Sequence, residues 1–145
     1  MHYGHDAQRT LKAEIGCTGI GLHSGSRVSL TLKPADINTG IRFRRTDVPE
    51  EKGLITAVWD NVTDTRLCTL LANEHGVTIG TVEHVLSALR GCDVDNALVE
   101  VSGPEVPIMD GSAEPFVFLI DCAGTVSQPA SRQAIRVLRP VEVKD

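Results

Sequence analysis

The sequence predicts an α+β domain, because two helical periodicities occur among several short runs of alternating polarity. The first helical pattern covers residues 80–90, and the second, apolar almost all round, covers residues 114–123. Alternating runs such as Ile41–Arg45 are typical of strands with one buried face. A chain of 145 residues is long enough for one domain with a substantial hydrophobic core.

Strands are the commonest predicted element in this sequence. They are expected at residues 8–15, 28–32, 41–45, 54–59, 67–71 and 96–102. Residues 1–7 are predicted to be a flexible terminus. The stretch 125–132, with Ser, Gln and Pro, predicts a linker, and residues 135–143 alternate like a further strand. We therefore expect a second domain to open near the end of this chain.

A glycine-rich segment, residues 18–25, predicts a tight turn between two strands. It nearly matches the dinucleotide-binding pattern, but Ser24 stands at the third glycine position. No helix is predicted after it, so we reject nucleotide binding on this pattern. Two interpretations remain open, a purely structural glycine hairpin and a loop whose His23 lines a cleft.

The second helix is predicted to follow an ordered turn at residues 104–113. Ser112 is the expected N-cap and Gly124 the expected end of the helix. Because apolar residues cover nearly its whole circumference, we expect this helix to be buried between two layers.

The first helix combines an apolar stripe with a charged pair. The stripe consists of Val82, Val85, Leu86 and Leu89. Glu83 and His84 project away from it. Thr81 is the expected N-cap and Gly91 the expected stop, while Ser87 and Ala88 are small enough to leave space beside the pair.

An adjacent imidazole and carboxylate can ligate a metal ion and accept a proton from water. A solvated pair on an exposed helix face is the alternative interpretation. The pair does not belong to a His-Glu-x-x-His motif, because position 88 is Ala. If His84 binds a metal ion, the other ligands must come from elsewhere in the protein.

Composition excludes several function classes. A net charge of -5 argues against a nucleic-acid partner, which would require a basic face. No apolar run is long enough for a transmembrane segment, and the N-terminus does not look like a signal peptide. The four cysteines are widely spaced, which predicts free thiols and a cytoplasmic location.

Four separated blocks together resemble the family of UDP-3-O-acyl-N-acetylglucosamine deacetylases. The blocks are residues 18–25, 64–69, 81–89 and 107–113, and the resemblance extends over residues 8–145. The family consists of zinc amidases of lipid A biosynthesis in Gram-negative bacteria. Membership implies removal of the N-acetyl group from UDP-3-O-acyl-N-acetylglucosamine.

The resemblance also implies a fold and a domain division. Each of the family's two similar domains is a β/α/α/β sandwich with two central helices and a small β insert. Residues 8–126 correspond to the first domain, with its insert around 47–72. Residues 127–145 correspond to a linker and the first strand of the second domain.

Transferred residue by residue, the resemblance implies that Glu83 is the general base and His84 a zinc ligand. Leu67 and Cys68 match the segment that lines the substrate cleft, and His23 matches a histidine of the glycine-rich loop, a further substrate-binding candidate. The remaining zinc ligands of the family, in a His-x-x-x-Asp motif, belong to its second domain, which this chain lacks.

We therefore expect this chain alone to be inactive and to bind zinc weakly. Two alternatives are a non-catalytic binding module on the same scaffold and a fragment that associates with a separately supplied second domain.

Overall fold

The structure, a computed structural model, describes residues 7–144 of the chain. The strands are β1 (Ala7–Leu11), β2 (Ile15–Ile20), β3 (Arg27–Pro34), β4 (Ile41–Arg45), β5 (Leu54–Thr56), β6 (Val62–Asp64), β7 (Leu70–Ala72), β8 (Thr78–Ile79), β9 (Ala97–Val101) and β10 (Thr125–Ser131). The helices are α1 (Glu83–Gly91) and α2 (Glu114–Ala123). The predicted α+β class is confirmed, with two helices packed against the sheets.

The largest sheet has five strands in the order β2-β3-β9-β4-β5. Its neighbouring strands are antiparallel, except that β4 and β9 run parallel. Strands β6, β7 and β8 form a small three-stranded sheet, and β1 pairs with β10. The strand predicted at residues 96–102 is therefore the central strand β9, with β3 and β4 on its two sides.

The core is built from the alternating side chains of the central strands and the apolar stripes of both helices. Its members from these elements include Val28, Leu30, Leu32, Val99, Val101, Val85, Leu89, Phe116 and Ile120. All of them are almost completely buried. On the strands every second side chain is buried, and on α1 and α2 the buried side chains follow the helical repeat. Both arrangements match the patterns in the sequence.

The first predicted strand is wrong as a single element. Residues 8–15 contain the end of β1 and the start of β2, because the chain leaves one sheet and enters another between them. Ala13, which lies between the two strands, is exposed. Ala7 is a buried residue of β1 and not part of a loose terminus, while residues 1–6 lie outside the described residues.

The predicted linker is also wrong over most of its length. Residues 125–131 form β10, which pairs antiparallel with β1. The pairing register shifts opposite Pro129, where a residue without an N–H is tolerated. Ser, Gln and Pro therefore mark an irregular edge strand here. Residues 135–143, expected as a strand, form no strand within the described part of the chain.

Several smaller predictions need correction at the strand and helix ends. The strand expected at 67–71 is the shorter β7, and the run at 54–59 holds only the three residues of β5. Ala88, which was expected to leave space beside the charged pair, is instead buried in the core. Helix α1 begins at Glu83 and includes Gly91.

Helix α2 has the predicted bounds, and its C-cap is Gly124, whose positive φ suits glycine. Ala113 is its N-cap, although the Ser112 Oγ accepts a hydrogen bond of 3.1 Å from the Glu114 N–H. Phe116 is buried, but Phe118 is 66% exposed. Burial of α2 between two layers is therefore wrong for this chain, which covers one side of the helix.

Candidate functional site

The first turn of α1 places the predicted charged pair at the boundary between core and surface. Val85 and Leu89, one and two turns on from Val82, are fully buried and fix the orientation of the helix. Glu83 and His84 follow Val82 directly and are half-buried. The predicted arrangement of α1, with its apolar stripe inward and the pair on another side, is confirmed.

The carboxylate of Glu83 is held at one oxygen and unsatisfied at the other. Its Oε1 accepts a hydrogen bond from the backbone N–H of Thr69. Its Oε2 is buried and has no hydrogen-bond partner, and no other carboxylate oxygen within residues 7–144 is in this situation. A buried, unpartnered carboxylate oxygen is costly unless another group binds there.

His84 lies close enough to Asp110 for a favourable charge interaction. Hydrogen bonds from the side chain and backbone of Ser112 are the main reason that the pKa of Asp110 lies below its ordinary value, and His84 adds a smaller contribution. The two Ser112 bonds measure 2.8 and 2.9 Å. These contacts stabilise the turn that contains Asp110.

Three further predicted site residues line an open cavity of about 770 Å³: His23, Leu67 and Cys68. Glu83 and His84 do not line it. The two groups are neighbours nonetheless, because Cys68 in the cavity wall precedes Thr69, whose N–H binds Glu83. The structure therefore places the five predicted residues in two adjoining groups.

The cavity has a charged rim and an apolar side chain open to solvent. Arg66 binds Asp64 through its Nη2 at 2.6 Å, and this contact holds the pKa of Asp64 well below its usual range. Leu67, the next residue, is 83% exposed. An exposed leucine beside a cavity offers an apolar contact surface to a bound molecule.

Sequence reasoning missed two polar residues in this region, Glu105 and Thr81. Glu105 lines the cavity and is only 4% exposed. Burial alone would raise its pKa, but hydrogen bonds from Ser24, His23 and Thr81 outweigh burial and lower it. Thr81 was expected as an N-cap, but its hydroxyl donates to Glu105. Nothing in the sequence marks Glu105 as buried, since acidic residues in turns are usually exposed.

The described residues match only part of a catalytic zinc site. His84 provides one imidazole beside the unpartnered Glu83 oxygen. Across residues 7–144 there is no group of three His, Cys, Asp or Glu side chains that could hold a metal ion. A catalytic zinc site usually has three protein ligands, so these residues fit one position of such a site.

The thiols and the helices give two further results for the described part of the chain. All four cysteines are free, as predicted, and burial raises the pKa of Cys17 and Cys92. Neither helix is both long and apolar enough to cross a membrane.

Comparison with known proteins gives the same family across nearly the whole chain. The family model of UDP-3-O-acyl N-acetylglycosamine deacetylase (LpxC) matches residues 8–145. A UDP-3-O-acyl-N-acetylglucosamine deacetylase of Shewanella halifaxensis is 50% identical over 138 residues, covering 95% of this chain and 45% of that protein. The enzyme of the same name from Neisseria meningitidis serogroup C is 50% identical over 139 residues, with the same coverage.

This chain therefore spans about 45% of the length of the curated relatives that it matches. The match extends through both of the predicted site regions, the glycine-rich loop and the first turn of α1. The chain belongs to the UDP-3-O-acyl N-acetylglycosamine deacetylase family.

Proposed function

We propose that this chain is the N-terminal half of a zinc-dependent deacetylase that removes the N-acetyl group from UDP-3-O-acyl-N-acetylglucosamine. The relatives' names supply the substrate, and lipid A biosynthesis in the cytoplasm is the setting that we assign to it. The observation that carries the proposal is the buried, unpartnered Oε2 of Glu83 next to His84. A general base requires such an oxygen, free to accept a proton.

Glu83 is the general base in this proposal. The N–H of Thr69 binds one carboxylate oxygen and thereby limits rotation of the group. The second oxygen is buried and has no protein donor among the described residues, and in this proposal it takes the proton from a water molecule. Fixing a base in one orientation removes part of the entropic cost of the reaction.

His84 is the zinc ligand that this chain contributes. Zinc, when bound, supplies Lewis acidity and brings the pKa of a water molecule down to about 7. The described residues hold no group of three ligands, so we assign the other ligands to the half of the protein that this chain does not span. His84 alone would hold the ion weakly.

His23, Leu67 and Cys68 contact the substrate in this proposal. They line one cavity, whose wall is joined to Glu83 through Thr69. Leu67 offers an exposed apolar side chain, and His23 a hydrogen-bonding one. Such a mixture suits a substrate with both a sugar and an acyl chain.

The second half of the protein packs on α2 in this proposal. Phe118 is a large apolar side chain exposed on that helix, and residues 135–143 carry several exposed apolar side chains. Surfaces of this kind are normally covered by another part of the protein.

Two variants of the complete protein test the assignment. Glu83→Gln retains the shape of the side chain but removes the base, so turnover should fall by about 10²–10⁴-fold while zinc content is unchanged. His84→Ala should lose zinc, which mass spectrometry measures. Loss of zinc in Glu83→Gln and retention in His84→Ala would contradict both roles.

The isolated chain provides a second test. It should bind zinc more weakly than about micromolar in calorimetry and should not deacetylate the substrate, because it offers one ligand. Turnover by the isolated chain would overturn the half-site proposal. Substrate binding without turnover by the complete protein would support the binding-module alternative.

A further inference from the structure

Glu105 is a buried carboxylate that the proposed chemistry does not use. It follows β9 in the turn segment, and the residue is only 4% exposed. A buried carboxylate is expensive to desolvate unless several donors bind it, so its partners show what it holds.

Those partners come from two separate parts of the chain. From the glycine-rich loop, the Ser24 N–H donates to Oε2 at 2.9 Å, and the His23 N–H lies 3.0 and 3.1 Å from the two oxygens. From the turn before α1, the Thr81 hydroxyl donates to Oε1 at 2.8 Å. One carboxylate thus joins the loop that carries His23 to the start of α1.

The backbone on either side of Glu105 holds the same turn. The Gly80 N–H donates to the Pro104 carbonyl at 2.9 Å, and the Val106 N–H donates to the Gly80 carbonyl at 3.0 Å. Gly80 and Glu105 therefore form a short bridge. The residue after Gly80 is Thr81, which the Glu105 side chain binds.

Thr81 has a φ of +56°, an unfavourable conformation for a β-branched residue. Such a conformation persists only where the surroundings enforce it. Only Val82, which is fully buried, separates Thr81 from Glu83. The conformation of Thr81 therefore determines the direction in which α1 starts and where its first two side chains lie.

We propose that Glu105 is a positioning residue, which fixes the Thr81 turn and the His23 loop and thereby places Glu83 and His84. The geometric part of this inference stands on the contacts alone. Its kinetic part rests on the proposed deacetylase function.

A solely structural role would produce a different result. In that case, loss of the contacts would lower the stability of the fold, but the folded molecules would retain the native arrangement of Glu83 and His84. A positioning role predicts a displaced first turn of α1 even in fully folded protein.

The first experiment records backbone amide resonances of the 145-residue chain by NMR. Glu105→Gln leaves an NH₂ group facing N–H and O–H donors, and Thr81→Val removes only the hydroxyl. Both should shift the Glu83 and His84 resonances. Thr81→Ser, which retains the hydroxyl, should leave these resonances at their wild-type positions. Native Glu83 and His84 resonances in folded Thr81→Val and Glu105→Gln would overturn the proposal.

Glu100→Gln is the matched control, since it makes the same chemical change at a glutamate that lies outside this network and is partly buried. Glu100 lies on β9, and its Oε2 is 2.8 Å from the Nζ of Lys33. The other face of β9 packs in the core. This variant should leave the Glu83 and His84 resonances unchanged. Should Glu105→Gln fail to fold, Thr81→Val and Thr81→Ser still decide the question.

The second experiment uses the complete protein. Glu105→Gln and Thr81→Val should lower kcat by about 10- to 100-fold, with zinc content retained and a smaller change in KM, as expected for a misplaced base. Thr81→Ser should lie within about twofold of wild type. A kcat equal to that of wild type in folded Glu105→Gln would refute the positioning role. An inactive wild-type protein would refute the proposed function, and the NMR experiment would then decide the positioning role.

Discussion

The amide cluster of Gln8, Asn38, Asn96 and Gln128 provides partners for its own buried atoms, whereas Glu83 leaves a buried oxygen without a donor. Asn96 alone donates to Gln8 and Gln128 at 2.9 and 2.8 Å and accepts from the Gly40 N–H at 2.9 Å. No buried atom of these four amides lacks a partner.

The difference separates a polar group that stabilises the fold from one that is available for binding. The amide cluster joins β1, β10 and the chain before β4, and each of its buried side-chain atoms has a hydrogen-bond partner. Glu83 differs, because its buried second oxygen has none. Substitutions in the first cluster should therefore affect stability, and substitutions of Glu83 should affect function.

The largest effect on stability is expected for Asn96→Ala. It removes three hydrogen bonds, one buried and two part-buried, which should lower the free energy of unfolding by about 3 kcal/mol. Urea denaturation measures this loss. Asn61→Ala is the control, since it removes one bond of 2.8 Å to the Thr56 carbonyl and should cost about 1 kcal/mol. Equal losses in both variants would show that the cluster has no special role.

Glu105 extends the comparison, because it is a carboxylate whose partners are complete. Glu105→Gln should lower the free energy of unfolding at neutral pH by about 2 kcal/mol, since donors to a charged acceptor lose their partner. Hydrogen bonds from the Ser24 and His23 amides and the Thr81 hydroxyl outweigh the opposing effect of burial and hold the pKa of Glu105 below its ordinary value.

The pH dependence follows from that direction. With a folded-state pKa below the unfolded-state value, the unfolded chain binds more protons, so this stabilisation is complete above the unfolded value and is lost as pH falls through the folded one. Urea denaturation between pH 7 and pH 3 measures the free energy of unfolding of wild type and of Glu105→Gln. The difference between these two free energies should become smaller below about pH 4. A constant difference across that range would contradict the expected ionisation.

A smaller effect, of opposite sign, is expected for Glu83→Gln. The amide oxygen can still accept from the Thr69 N–H, and the substitution removes a carboxylate whose second oxygen is buried without a donor. The free energy of unfolding of the isolated chain should stay the same or rise by up to about 1 kcal/mol. Glu100→Gln, which breaks the ion pair with Lys33, should instead lower it. A clear loss of stability in Glu83→Gln would place Glu83 among the structural groups.

The sequence predicted secondary-structure elements with a clear periodicity better than it predicted contacts between distant segments. Helix α2, strand β4 and the apolar stripe of α1 follow from periodicity, because the buried face of one element is sufficient to identify it. Strand β10 was missed, since its stability comes from pairing with β1 more than a hundred residues earlier. No local pattern reports such a pairing.

The candidate site shows the same limit. Glu83, His84 and the His23 loop were identified from their residues and from the family resemblance. Glu105 and the Thr69 amide were not, because their roles depend on contacts between distant segments. Thr81 resembled an N-cap in the sequence, but a buried carboxylate 24 positions along the chain binds its hydroxyl instead.

The smallest effect expected is that of a chelator on the isolated chain, which should leave the melting temperature unchanged within about 1 °C. A metal stabilises a fold when it binds the native state through a preformed set of ligands, and residues 7–144 contain no such set. The continuous core formed by the sheets and both helices does not include His84. Thermal melts with and without EDTA measure the shift. A fall of several degrees would mean that the metal contributes to folding of this half, and that the open site around Glu83 is closed by ligands within this chain.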